Sequence, residues 1–167
     1  IGAGCNNIAS GNRSVIGGGQ SNTTNSSYNF IGGGTLNSIT GDYSTVSGGY
    51  KNTITSSHST IGGGYCHTAS GYFSTIGGGY RNTASGVRSY IGGGKDNIAN
   101  STYATIVGGE NNSTNTCASA MIIGSNIVAD RECTTFVNNL SIMNIPTSAA
   151  GLPAGSLWND SGTVKIV

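Results

Sequence analysis

The chain repeats itself every fifteen residues, and that limits its fold more than any other feature. "IGGGYCHTASGYFST" (Ile61 to Thr75) is followed at once by "IGGGYRNTASGVRSY" (Ile76 to Tyr90), and the same frame divides residues 1–120 into eight units without an insertion. With each unit counted from its first apolar residue, position 1 is Ile in seven units and Val46 in the other. Position 7 is Asn in seven and His67 in the other, and position 14 is Ser in six. Met121 then breaks the phase, "IIGSN" is a last echo, and the pattern ends near Ile127. A fixed short period is the signature of a repeat architecture. The expected organisation is a repeat domain over residues 1–126 and a C-terminal capping and trimerisation segment over 127–167.

A fifteen-residue unit is too short for a helical hairpin, and each glycine costs a helix interior about 1 kcal/mol. The unit suits one coil of parallel β-structure instead. A strand around "STI" leads into a turn through the glycines, and a second strand around "NTA" leads into a turn through "SG". β-Branched residues favour strands, and Gly, Asn and Ser tolerate turn geometry. Stacked coils pair identical positions about 4.8 Å apart, so eight make a rod of about 40 Å. Two ladders are expected inside it. One is apolar: Ile1, Ile16, Ile31, Val46, Ile61, Ile76, Ile91 and Ile106. The other is Asn7, Asn22, Asn37, Asn52, Asn82, Asn97 and Asn112, whose amides can bond from coil to coil and satisfy turn groups. With one Ile and small residues such as Thr83 and Ala84, each coil has a thin core. A bundle of parallel copies would supply the missing burial.

The run "ASGYFSTIGGGYRNTASG" (69–86) resembles the parallel β-roll of trimeric adhesin heads, whose coils read roughly A-x-G-x-x-S-x-A-I-G-x-G-x-x-A. It departs from that pattern in its period, fifteen rather than fourteen, and in "STIGGG", which has one residue fewer before its Ile. The stretch "CTTFVNNLSIMNIPTSAAGLPAGSLWNDSGTVKIV" (133–167) resembles the ends of tail-fibre and surface-fibre proteins of bacteriophages and large algal viruses. The resemblance implies a homotrimeric rod on a virion surface, or otherwise extracellular, that contacts a host receptor or glycan. The fold class expected is therefore all-β: a parallel β-roll or β-solenoid of eight 15-residue coils, trimeric, with a small C-terminal β cap. The cap fits the physics as well. Phe136, Leu140, Ile142, Met143, Ile145, Leu152, Leu157 and Trp158 gather apolar bulk where a solenoid end needs closing, and "NDSG" between "SLW" and "TVKIV" predicts a hairpin within 155–167.

Composition removes several functions. Seven Lys and Arg are scattered among six acids, so no basic stripe offers itself to nucleic acid, and no apolar run approaches the roughly 20 residues of a membrane span. No catalytic residue, metal or cofactor is expected. The glycine turns recur with no GK[ST] and no helix to hold a phosphate. Asn stands where calcium-binding solenoids place carboxylates. The six acids form no paired constellation, and His58 and His67 occupy ladder positions as solvated or stacked members. The four cysteines lack metal or CxxC spacing and read as small buried residues, with a Cys117–Cys133 bridge or pairing between chains as alternatives.

Two aromatic columns are the candidate contact surface: Tyr50, Tyr65 and Tyr80 at position 5, and Tyr28, Tyr43, His58, Phe73 and Tyr103 at position 13. They shield the coil edge or hold glycans by stacking. Eight N-x-[ST] sequons (Asn12, Asn22, Asn25, Asn100, Asn111, Asn112, Asn139 and Asn159) offer glycosylation. Three functions remain open: a viral fibre segment, the head of a bacterial trimeric surface adhesin, and an ice-binding solenoid suggested by the interrupted column Thr45, Thr60, Thr75 and Thr105.

Overall fold

A computed structural model describes residues 1–141, 146–148, 150, 151, 153, 154, 156–160 and 163–166, without the side chains of 158–160, 163 and 164. The described residues contain no helix. They form a parallel β-solenoid in which each of the first seven coils contributes one short strand to each of two sheets, and the last two extend one of those sheets only by the single bridges Ile98↔Ser113 and Ser113↔Val128. Position 8–9 strands, from Ile8–Ala9 to Ile98–Ala99, build a seven-stranded sheet; strands at positions 15 and 1, beginning with Val15–Ile16, build most of a nine-stranded one. Register is fifteen residues throughout, as in Thr83↔Ile98 and Ile76↔Ile91. A third column of single bridges links position 5 from Cys5 to Glu110.

Each coil is two quasi-equivalent halves. Positions 6 and 13 are left-handed: in the first seven coils φ lies between 54° and 61° at both, whatever the residue, Leu36, Lys51, Phe73 and Arg88 included. Such conformations are strained for bulky side chains. The stack compensates by giving the reversed N–H a partner one coil back. Arg81 N–H donates to Tyr65 O at 2.8 Å and Arg88 N–H to Tyr72 O at 2.8 Å, while neighbouring amides donate forward, as Tyr80 N–H does to Gly94 O at 2.9 Å. In these coils each left-handed residue is followed by an inward side chain that is polar except at Ala104 (positions 7 and 14), then an outward strand residue (8 and 15), then an inward one that is apolar except at Thr24, and at Thr114 in the eighth coil (9 and 1).

The core consists of those inward columns. Ile16, Ile31, Val46, Ile61, Ile76, Ile91 and Ile106 are fully buried, and position 9 adds Ile39, Ile54, Ala69, Ala84 and Ala99. Ile1, in the first coil, is 63% exposed because it has a neighbour on one side only. Thr83 does not belong to the core: it faces outward, half-buried, because the left-handed residue at position 6 sets the strand's alternation so that Ala84 points in.

The glycines divide by need. The third glycine of each turn has φ between 88° and 101°, and a Cβ on Gly79 would lie 2.1 Å from Gly94 O. A Cβ on the middle glycine, Gly78, would meet nothing closer than 3.8 Å.

The stack runs past the expected boundary at 126, to a ninth coil closed by the strand Thr135–Val137. Ile106↔Ile122 spans sixteen residues, a register shift between Ile106 and Gly108 returns the spacing to fifteen, and Ile122↔Phe136 spans fourteen. Phe136 packs against the core in the place of an Ile. Farther on, Leu157–Asp160 pairs antiparallel with Thr163–Ile166, the expected hairpin. Its turn at 161–162, and the expected cap residues Ile142, Met143, Ile145 and Leu152, lie outside the described residues.

Candidate contact surfaces on the rod

The two inward polar columns hold the corners from which all outward side chains project. At position 7 the amide of Asn82 donates to Gly78 O (3.0 Å) in its own turn and to Gly94 O (2.9 Å) in the next coil. Its Oδ1 accepts the Asn97 N–H at 2.9 Å. The same pattern starts at Asn7 and ends where Asn112 Oδ1 accepts Ile127 N–H. An amide suits the place because it supplies two donors and an acceptor at once. This explains why glycine turns and Asn recur together: the turn's carbonyls are the amide's acceptors.

His67 is the exception. It is fully buried, Nδ1 accepts Asn82 N–H at 3.1 Å, and Nε2 has no hydrogen-bond partner. Burial pushes its pKa below the ordinary value of 6.5, outweighing the Gly79 backbone, which favours imidazolium. His58, in contrast, is exposed and lies in a ring stack.

At position 13 the expected aromatic column forms and is longer than the aromatics alone. Tyr28 and Tyr43 stack at 4.5 Å between centroids, Tyr43 and His58 at 5.1 Å, and His58 meets Phe73 at 4.8 Å. Arg13 lies over Tyr28 at 5.2 Å, and Arg88 fills the gap between Phe73 (5.6 Å) and Tyr103 (5.4 Å), with its guanidinium donating to Tyr103 OH at 2.6 Å. Seven coils thus share one continuous stack from Arg13 to Tyr103, with Tyr72 packed edge-on beside it. Position 5 gives a shorter stack, with Tyr50–Tyr65 and Tyr65–Tyr80 both at 5.0 Å. The Tyr65 phenol sits above its ordinary pKa, chiefly because negative charge on the adjacent Cys66 disfavours the phenolate. From Tyr28 to His58 and from Tyr50 to Tyr80 each ring covers its neighbour's face, whereas Phe73 is tilted by 45° to His58.

Sequence reasoning missed a third feature, beside the Tyr50–Tyr80 column. Positions 6 and 8 rise as two walls over the buried Asn column and enclose an open groove of about 670 Å³. Lys51, Cys66, Arg81 and Asp96 form one wall, and Thr53, Thr68, Thr83 and Ile98 form the other. Arg81 Nε meets Asp96 at 3.1 Å, and Lys95 Nζ reaches the same carboxylate at 3.9 Å. The signal available in the sequence was the Thr at position 8 of four units (Thr23, Thr53, Thr68 and Thr83), a second column beside the Thr column at position 15. That column is in register, Thr45↔Thr60 and Thr75↔Tyr90, with Phe30 and Tyr90 interrupting it as expected.

Two further expectations change. Asn22 and Asn112 are buried in the position 7 ladder, which leaves no room for a glycan, whereas Asn12, Asn25, Asn100, Asn111 and Asn139 are exposed. The side chain of Asn159 lies outside the described residues. All four cysteines are free, so Cys117 and Cys133 form no bridge; Cys117 is buried, Cys66 is half-buried, and Cys5 and Cys133 are exposed. Among the described residues no cluster of His, Cys, Asp or Glu has metal-binding geometry.

No protein-family model matches the chain, and no curated protein matches it.

Proposed function

We propose that this chain is a non-enzymatic fibre or adhesion segment, a rod whose side meets a host surface. The observation that carries the reading is the stack from Arg13 to Tyr103, exposed along seven coils of a chain in which only 8% of residues are charged. An interior needs no such column, whereas a contact surface gains from rigid, amphipathic side chains that lose little entropy on binding. Three parallel copies complete the rod in this reading, since no coil from the second to the eighth contributes more than three apolar core residues, and most have one Ile beside Ala or a second Ile. The resemblance of residues 133–167 to fibre ends favours display on a virion. A bacterial trimeric surface adhesin is the second reading, because it would use the same coils.

Two experiments test this. Light scattering of the folded protein is expected to give three times the chain mass of 16.7 kDa, and a monomer mass removes the trimer. Attachment to cells or to a glycan array is expected to fall in Tyr43→Ala/Phe73→Ala and in Tyr65→Ala/Tyr80→Ala. Unchanged attachment by correctly folded variants at both columns would sink the contact role.

A further inference from the structure

We infer that the groove between positions 6 and 8 is a binding site for a linear acidic glycan, held extended along the rod axis. This rests on the reading of the rod as a surface-contact segment, but it moves the glycan from the ring stacks to their neighbour.

Charge is the first argument. Of the thirteen Lys, Arg, Asp and Glu residues, five stand at positions 5 and 6 of coils four to eight: Lys51, Arg81, Lys95, Asp96 and Glu110. Three of these five are cations, and the other charged side chains of the coils, Arg13, Asp42, Arg88, Asp130, Arg131 and Glu132, stand at other positions. Asp96 is shared by Arg81 and Lys95, while no carboxylate of the described residues lies within salt-bridge range of Lys51. Lys51 and Arg81 occupy the same column two coils apart, about 10 Å at the parallel-strand spacing. A polymer with an anionic group on alternate units would meet a cation at both.

Unused hydrogen-bonding capacity is the second. Thr53, Thr68 and Thr83 are half-buried along one wall, and none of their hydroxyls has an intramolecular hydrogen bond among the described residues. Other threonines do: Thr24 donates to Ser26 O and Thr114 to Asn100. Three hydroxyls, one per coil, facing a groove about 19 Å long from Lys51 to Asn111 suit a chain with regularly repeated hydroxyls. The groove volume also falls within the usual range of ligand sites. A peptide partner fits less well, because it would bury apolar anchors and the lining offers only Ile98 and Cys66 for them.

Calorimetric titration of the whole chain with size-defined hyaluronan oligosaccharides, which carry a carboxylate on alternate units, tests the site, with uncharged chito-oligosaccharides and an acidic peptide of equal length as comparisons. The acidic oligosaccharide is expected to bind best, and more weakly as salt is raised. Lys51→Ala should weaken it about five-fold, the scale of one exposed charge contact. Lys51→Arg should restore it, Thr68→Val should weaken it comparably, and Val87→Ala, at an exposed residue outside both the groove lining and the ring stacks, should leave it unchanged. The inference is overturned if the uncharged oligosaccharide or the peptide binds as tightly, if nothing binds, or if Lys51→Ala and Thr68→Val bind like the parent. Attachment assays separate the two readings: groove variants that attach normally, beside ring-stack variants that do not, overturn the groove and leave the contact role standing.

Discussion

The two halves of each coil share a backbone plan and differ in the polar side chain that each turns inward. Position 7 uses an amide that donates to two turn carbonyls and accepts one backbone N–H of the next coil, and it is Asn in seven of the eight units, with His67 in the other. Position 14 uses mainly a hydroxyl, which can donate only once. Ser59 Oγ donates to Gly71 O (2.9 Å) and accepts Ser74 N–H (3.2 Å), but farther along Ser89 Oγ is buried without a partner and Ala104 has no polar group at all. The amide column is a brace that bonds coil to coil from Asn7 to Ile127, whereas the position 14 column does so only from Ser14 to Ser74. Strict repetition in sequence follows the number of bonds a position must close.

That contrast can be broken in graded steps. Asn82→Ala should have the largest effect, about 3 kcal/mol by chemical denaturation, because it leaves Gly78 O and the Asn97 N–H unpaired and takes one of two donors from Gly94 O. Acid comes next. The His67 pKa is lowered in the fold, so its neutral form is stabilising above the ordinary value of 6.5, and that stability is lost as pH falls below it. Melting temperature should drop on acidification in the parent and much less in His67→Asn, which restores the missing donor and should be more stable at neutral pH. Ser59→Ala should cost about 1 kcal/mol, the loss of one buried hydroxyl's bonds. Ser89→Ala should be smallest, within about 0.5 kcal/mol of the parent, since its hydroxyl closes no bond.

Coil length, the Ile column and the Asn column were legible because every unit imposes the same demand and the repeats act as their own alignment. Positions 6 and 13 were not. Their constraint lies in the backbone, is satisfied by backward hydrogen bonds, and leaves the side chain free to be Leu36, Lys51 or Phe73. Missing that left-handed turn also put Thr83 on the wrong side of its strand and hid the groove. The ninth coil escaped notice because it closes in fourteen residues with Phe136 in the Ile place, so its pairing survives where its sequence pattern does not.

Lys51 and Asn52 are chain neighbours assigned opposite tasks, one facing out into the groove and the other into the brace. Measuring thermal stability and surface attachment together for Lys51→Ala and Asn52→Ala tests that division most directly. Asn52→Ala is expected to lose stability and attachment in parallel, whereas Lys51→Ala keeps the parent's melting temperature and attaches more weakly. A Lys51→Ala protein that melts as early as Asn52→Ala, or one that attaches like the parent, would contradict it.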